Sequence, residues 1–471
     1  MSTETKVYRE PSDKTFLGHP VGLYLLFFTE LWERFSYYGM RAILVLYLTK
    51  SYIEGGLGFE ESYASLLYGS FTGLVYFTPL IGGWLADKYL GHRKAITIGG
   101  ITMFLGQMVL FLVATKAGMY SGLFLLIIGN GFFKPNISTL VGGLYKPGDA
   151  KRDSAFSIFY MGINVGAFFA PLVVGLFANQ WFADVDGVTG EIIRHAYNYG
   201  FLAAAIGMLV GQILFNTLSN KYLGDLGVDP VGDGAEEEAV AELDKVVEHK
   251  TPLTKEEKQR TIAIFVYFFF AIFFFAGFEQ AGSSFTLYTE KFLDRSIGGF
   301  TVPTEWFQSI NPLFIVLLTP VFALFWPSKA GQKVTTPVKM GMGLMLLGVG
   351  FLFMVGASAS RGGDSADIAV KASMWWMVFT YLLHTMGELC LSPVGLSTVT
   401  KLAPVKLASL LMGVWLLSSF FGNLIAGQVA AATSSMGAGS VYQVLAIAAI
   451  AFGVALLCLN RVLLKMMHGV R

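Results

Sequence analysis

Long apolar runs alternate along this chain with short polar stretches. In a window of about 19 residues, the first runs fall at 22–48, 62–86, 94–115, 119–144, 154–179 and 197–218. A second set follows at 259–290, 304–326, 337–357, 372–400, 405–432 and 440–463. Crossing the hydrocarbon takes about 20 apolar residues, so every run suffices, and the longer ones imply tilt or ends projecting into a cavity or loop. The pattern predicts an all-α integral membrane protein with twelve spanning helices, six and six. Between the sets, residues 220–258 turn abruptly polar, "GDGAEEEAVAELDKVVEHKTPLTKEEKQR". They predict a soluble linker between an N-terminal bundle at 1–219 and a C-terminal bundle at 259–471, with helix formers enough at 235–248 for a surface helix. Two six-span halves suggest parallel repeats, on topology alone.

Composition agrees: 54% of the residues are hydrophobic and 14% charged, which excludes an ordinary soluble domain. The net charge is +1, and no nucleic-acid partner is expected. The distribution of Lys and Arg is more telling. Lys6, Arg9, Lys14, Lys88, Arg93, Lys94, Lys146, Lys151 and Arg152 fall on the same side as the linker, Lys329, Lys333, Lys401, Lys406 and the C-terminal tail. Both termini are therefore expected in the cytoplasm. The polar N-terminus lacks the regions of a cleavable signal, so the first span is expected to direct insertion. Cys390 and Cys458 lie in apolar runs, the six histidines are scattered, and no H-E-x-x-H or C-x-x-C occurs. No metal or cofactor is expected.

Charges inside the spans carry the chemistry, because an Arg, Lys or Asp at mid-bilayer costs about 2.5–3.5 kcal/mol on the insertion scale and must face protein or water. Glu30, Glu33 and Arg34 in "TELWERFSYYG" stand at i, i+3 and i+4, on one helical face. One guanidinium cannot neutralise two carboxylates fully. An ion pair holding the first span in its bundle is one reading; the second carboxylate favours proton binding. Lys134 in "IGNGFFKPNIST", Glu279 in "FAGFEQAGSS" and Glu388 in "HTMGELCLSPVG" are further intramembrane ionisable groups. Each lies near Gly or Pro, and Pro135 and Pro393 remove backbone donors, leaving carbonyls open to a cavity. His384 reads as a packing residue.

These residues resemble the proton-dependent oligopeptide transporters, a branch of the major facilitator superfamily, over nearly the full length. The pattern E-x-x-E-R-F-x-Y-Y-G matches Glu30, Glu33, Arg34, Phe35, Tyr37, Tyr38 and Gly39. The superfamily's loop signature matches "GGWLADKYLGHRK", Gly82–Lys94, and a fifth-span pattern matches "FYMGINVG", Phe159–Gly166. The resemblance implies a di- and tripeptide:proton symporter of a bacterial inner membrane, a functional monomer working by alternating access. It implies that Arg41, Lys134 and Tyr38 hold the peptide carboxylate, Glu388 and Asn311 the amino terminus, and Asn164 the peptide backbone. Tyr37, Tyr76, Trp415 and Ser419 would shape side-chain pockets, and Glu30, Glu33, Arg34, Lys134 and Glu279 would couple the proton. A zwitterionic peptide does need a cation at one end and a carboxylate at the other.

The chain departs from that pattern in three places. The polar linker replaces two extra helices that many bacterial members carry, the second span has no histidine, and Phe275 stands where the family has a tryptophan. Asp87, Arg93 and Lys94 read as a charge network joining helix ends, and Arg93 and Lys94 read equally as determinants of orientation. A drug or sugar transporter of the superfamily would not need Lys134 and Glu388 as opposite poles. A carrier of nitrate or another anion would be expected to lose part of the E-x-x-E-R triad, which is intact. A membrane enzyme would need a nucleophile with its base or a metal cluster, and a purely structural protein would leave these charges unexplained.

Overall fold

The computed structural model describes residues 8–146, 149, 151–230 and 252–470. The expected surface helix at 235–248 lies outside them. The protein is helical, with four two-stranded ladders in its loops among the described residues. The helices are α1 (Val21–Thr49), α2 (Glu61–Leu85), α3 (His92–Leu112), α4 (Lys116–Gly143), α5 (Lys151–Leu176) and α6 (Tyr197–Tyr222). After the linker come α7 (Lys255–Phe278), α8 (Ser284–Phe292), α9 (Ile310–Phe325), α10 (Thr336–Ser360), α11 (Trp375–Leu402), α12 (Ala408–Met436), α13 (Ala438–Cys458) and α14 (Asn460–Met466).

Among the described residues, ten helices are long and apolar enough to cross a membrane. Helices α1 and α11, with 29 and 28 residues, match them in length and carry Glu30, Glu33, Arg34 and Glu388. Helix starts follow local chemistry. Thr254 and Glu257 form a capping box at α7, the hydroxyl accepting from Glu257 N at 3.2 Å and the carboxylate from Thr254 N at 2.7 Å. Thr115 accepts from Gly118 N at 3.1 Å to start α4.

The expected seventh span is not one continuous helix. A 3₁₀ turn at Glu279–Gly282 separates α7 from α8. Pro135 and Pro393, by contrast, lie within unbroken helical segments.

The chain forms two compact units, Met1–Arg41 with Phe77–Val246, and Ala42–Tyr76 with Val247–Arg471. In the first, α3 and α4 touch backbone to backbone. A Cβ on Gly99 would lie 2.6 Å from the Gly129 carbonyl oxygen, and one on Gly106 would lie 2.9 Å from that of Gly122. Close approach through small residues replaces hydrophobic driving force where the solvent is lipid. The second unit repeats the device between α10 and α13, where a Cβ on Gly453 would lie 2.8 Å from the Gly341 oxygen. Its core gathers Phe274, Phe285, Phe351, Met354 and Tyr442. His384 belongs there as a packing residue, its Nε2 3.1 Å from the Leu347 carbonyl oxygen and its ring against Phe351.

Candidate functional site

The ionisable residues form one group in each unit. In the first, a single turn of α1 presents Glu30, Glu33 and Arg34, which are 2%, 0% and 3% exposed. Arg34 Nε lies 3.1 Å from Glu30 Oε1 and also pairs with Glu33 Oε2. From α4, Asn130 donates to Glu33 Oε1 at 3.3 Å, and half-buried Lys134 comes within electrostatic reach of Glu30. Two carboxylates thus face two cations. The second charge that the spacing of α1 left uncompensated is met from another helix. Glu30 Oε2 and Arg34 Nη2 are nonetheless buried without a hydrogen-bond partner, so the cluster retains one open acceptor and one open donor.

Two motif glycines let α5 approach this turn. A Cβ on Gly166 would lie 3.1 Å from Arg34 Cβ, and one on Gly39 would lie 2.7 Å from a methyl of Val174. Arg34 lies 5.5 Å from the Tyr37 ring centroid, and buried Arg41 lies 5.9 Å from that of half-buried Tyr38. Asn164 is buried on α5 and its amide donates to the Tyr160 carbonyl at 3.0 Å. That donor is engaged within its own helix, apart from the ionic cluster.

In the second unit, Asn311 near the start of α9 donates to Glu388 Oε2 at 3.1 Å and to Thr385 Oγ1 at 3.0 Å on α11. Glu279 opens the 3₁₀ break, buried, and lies within electrostatic reach of Glu388. Gln280 holds the break, donating to the carbonyls of Ala276 and Ala426 at 3.0 and 3.1 Å and accepting from Ser284 at 2.7 Å. Trp415 is buried against Gly395 of α11. Tyr76 and Ser419 are half-buried, and the Ser419 carbonyl accepts from Asn423 at 2.8 Å. Phe275 packs where its Cβ leaves room only for Gly422 on α12.

A third constellation, built on Lys50, Lys291 and Arg295, was not among the sites that the sequence singled out. Lys50 Nζ pairs with Glu290 Oε1 at 3.0 Å and Glu54 Oε1 at 3.4 Å. Glu290 Oε2 also takes Arg295 Nη2 at 3.1 Å and the Thr304 hydroxyl at 2.5 Å. Lys291 pairs with Glu61, and Gln308 donates to the Ala42 carbonyl at 3.3 Å. Burial pushes the Lys50 pKa down, but Glu290 and Glu54 outweigh it and hold it above the usual lysine value. The only local signal was the i, i+4 spacing of Lys50 and Glu54.

The loop signature resolves into two roles. Asp87 lies 3.7 Å from His92 Nδ1, which also contacts Asn136 Oδ1 at 2.8 Å. Arg93 clasps the end of α6, whereas Lys94 is exposed. Among the described residues, no group of His, Cys, Asp and Glu is arranged to hold a metal ion.

Known proteins match this sequence and architecture closely. The family described as the POT family matches residues 93–223 and 235–445. A peptide transporter of Yersinia enterocolitica, YePEPT, is 35% identical over 91% of this chain and 90% of its own length. A di-/tripeptide transporter of Lactococcus lactis subsp. cremoris is 33% identical over 98% of this chain and 99% of its own. Among solved structures, a mutant peptide transporter POT in complex with alafosfalin superposes with a TM-score of 0.85 at 34% identity, covering 98% of each chain. This chain belongs to the POT family.

Proposed function

We propose that this protein imports di- and tripeptides with protons across a bacterial inner membrane. In this reading the chain spans twelve times, in six-helix halves at 1–219 and 259–471 joined by the 220–258 linker, with both termini in the cytoplasm, and works as a monomer by alternating access. Relatives described as peptide and di-/tripeptide transporters support the cargo. One observation carries the coupling: the buried Glu30, Glu33 and Arg34 cluster with Lys134 in reach.

With two carboxylates against two cations, a proton arriving on Glu30 or Glu33 leaves one cation in excess. The released partner, Arg34 or Lys134, then favours an incoming carboxylate. The peptide carboxylate goes to Lys134 and Arg41 beside Tyr38, and the amino terminus to Glu388, which Asn311 orients. Asn164 meets the peptide backbone, while Tyr37, Tyr76, Trp415 and Ser419 set side-chain tolerance. Protonation of Glu279 loosens the 3₁₀ break, and with it the Lys50–Glu290 and Lys291–Glu61 pairs that close the outer end.

The energetics suffice. One proton moving down about 100 mV and one pH unit releases about 2.3 plus 1.4 kcal/mol. At one proton per neutral peptide that supports accumulation by a few hundred-fold. The test is uptake of labelled dialanine into proteoliposomes under an inside-negative, outside-acid gradient. Accumulation abolished by an uncoupler, and lost in Lys134→Ala, is the expected result. A folded native protein that ignores dialanine and moves a drug or an anion would overturn the cargo.

A further inference from the structure

In the first unit, the start of α3 and the last turns of α6 bound a cleft of about 420 Å³. Its charged lining consists of Arg93 and Lys94, with Thr97, Asn216, Ser219 and Asn220 as polar neighbours and no carboxylate. Arg93 is held in place. Arg93 Nη1 donates to the Gly224 carbonyl at 2.8 Å, and Nη2 to Ser219 Oγ and Asn220 Oδ1, both at 2.6 Å. Those bonds use three of its five N–H groups. All three acceptors are uncharged, so the guanidinium charge is not cancelled by a bonded carboxylate.

The surrounding charges do not cancel it either. Asp225 lies within electrostatic reach of Arg93, but its carboxylate is bound by Arg9, at 2.9 Å from the backbone N–H and 2.8 Å from Nη2. Lys221, on the last turn of α6, adds a further cation, 5.3 Å from the Tyr222 ring centroid. Away from this end the wall becomes apolar. Ile98 lines the cleft and is 41% exposed, and beyond it Ile101 and Leu105 on α3 and Leu209 and Ile213 on α6 are exposed as well. Residues 98, 101 and 105 share one face of α3, and 209 and 213 share one face of α6.

A clamped guanidinium and an exposed ammonium above two exposed apolar stripes have the polarity of a single amphiphile. We propose that this cleft binds an anionic phospholipid, its phosphate between Arg93 and Lys94 and its acyl chains along Ile98, Ile101 and Ile213. A basic pocket between helices at the membrane surface suits such a headgroup, and the guanidinium offers charge-assisted bonds to phosphate oxygens. Free phosphate would satisfy the cations but not the stripes. The lipid satisfies both.

The test is native mass spectrometry of the full chain in neutral detergent, titrated with phosphatidylglycerol. Lys94→Ala is expected to weaken retention of the first bound lipid about fivefold, the usual share of one basic residue near a lipid surface. Lys94→Arg should retain it, and Lys258→Ala, an exposed lysine at the start of α7, should change nothing. Equal losses in Lys94→Ala and Lys258→Ala would reduce the effect to diffuse charge and overturn the site. Unchanged retention in Lys94→Ala would overturn it too. Glycerol 3-phosphate binding as tightly as the lipid would overturn the assignment to a membrane component.

Discussion

The Glu30–Glu33–Arg34 turn and the Lys50–Glu290 network use the same kinds of residue and differ in depth of burial. The first is at most 3% exposed, confined to one helical turn, and completed by Lys134 from α4. The second joins the ends of separate helices, with Lys50 and Glu290 side chains 23% and 19% exposed. Breaking a buried pair strands a charge at about 3–5 kcal/mol. A pair open to water is worth about 1 kcal/mol or less. Burial therefore suits the first cluster to sensing a single proton, because neutralising one member is expensive for the rest. Partial access to water suits the second to being made and broken at a lower cost than the first.

The contrast is sharpest at Glu33. Glu33→Gln keeps the shape and the Asn130 contact but removes a buried charge, and at about 3 kcal/mol proton-driven dialanine uptake should fall about 100-fold. Exchange of peptide for peptide, which moves no net proton, should continue. Native accumulation by this variant would dissolve the distinction between the clusters. A smaller effect is expected at the opposite pole. Glu388→Gln removes the charge that Asn311 orients, and should raise the half-saturating concentration of dialanine about tenfold. Acetylated dialanine, which lacks the ammonium, should discriminate little between the two proteins. An equal shift for both substrates would detach Glu388 from the amino terminus.

Reversing one member of the half-buried network, as in Lys50→Glu, should slow uptake about fivefold. Adding Glu290→Lys should recover part of the rate, and failure of that rescue would make the network incidental. The smallest effect expected is none. The Lys50 pKa is raised in the folded protein from 10.5, so its stabilising charge is fully present below that value and is lost only as pH rises through the higher folded value. Lys50→Arg should therefore leave the uptake profile between about pH 5 and 8 unmoved. A displaced profile would place the titrating group at the outer end rather than in the buried turn.

What the sequence revealed depended on distance along the chain. Every apolar run corresponds to a long helical segment, because hydropathy is a local property. The α1 cluster was equally readable from i, i+3 and i+4 spacing. Lys134 was visible as an intramembrane charge, and its link to Glu30 came only through the family resemblance, since α1 and α4 meet only through tertiary packing. The Lys50 network was illegible for the same reason. The break at Glu279–Gly282 was hidden by composition, since "FAGFEQAGSSF" is apolar enough to read as uninterrupted helix. The packing role of the glycines was equally out of reach. At Gly99 and Gly129 they are seams where two backbones meet.

Those seams have a mechanical consequence. Two rods pressed together at their glycines, with side chains such as Met103 and Leu110 interlocked between those contacts, bend as one plank, and each unit contains such a plank, α3 with α4 and α10 with α13. In the proposed alternating-access cycle, deformation would then fall outside the seams, on members such as α2 with its internal Pro79 and the 3₁₀ turn between α7 and α8. The stiffness of the glycine seams decides where this protein flexes, and so puts Glu279 at a joint.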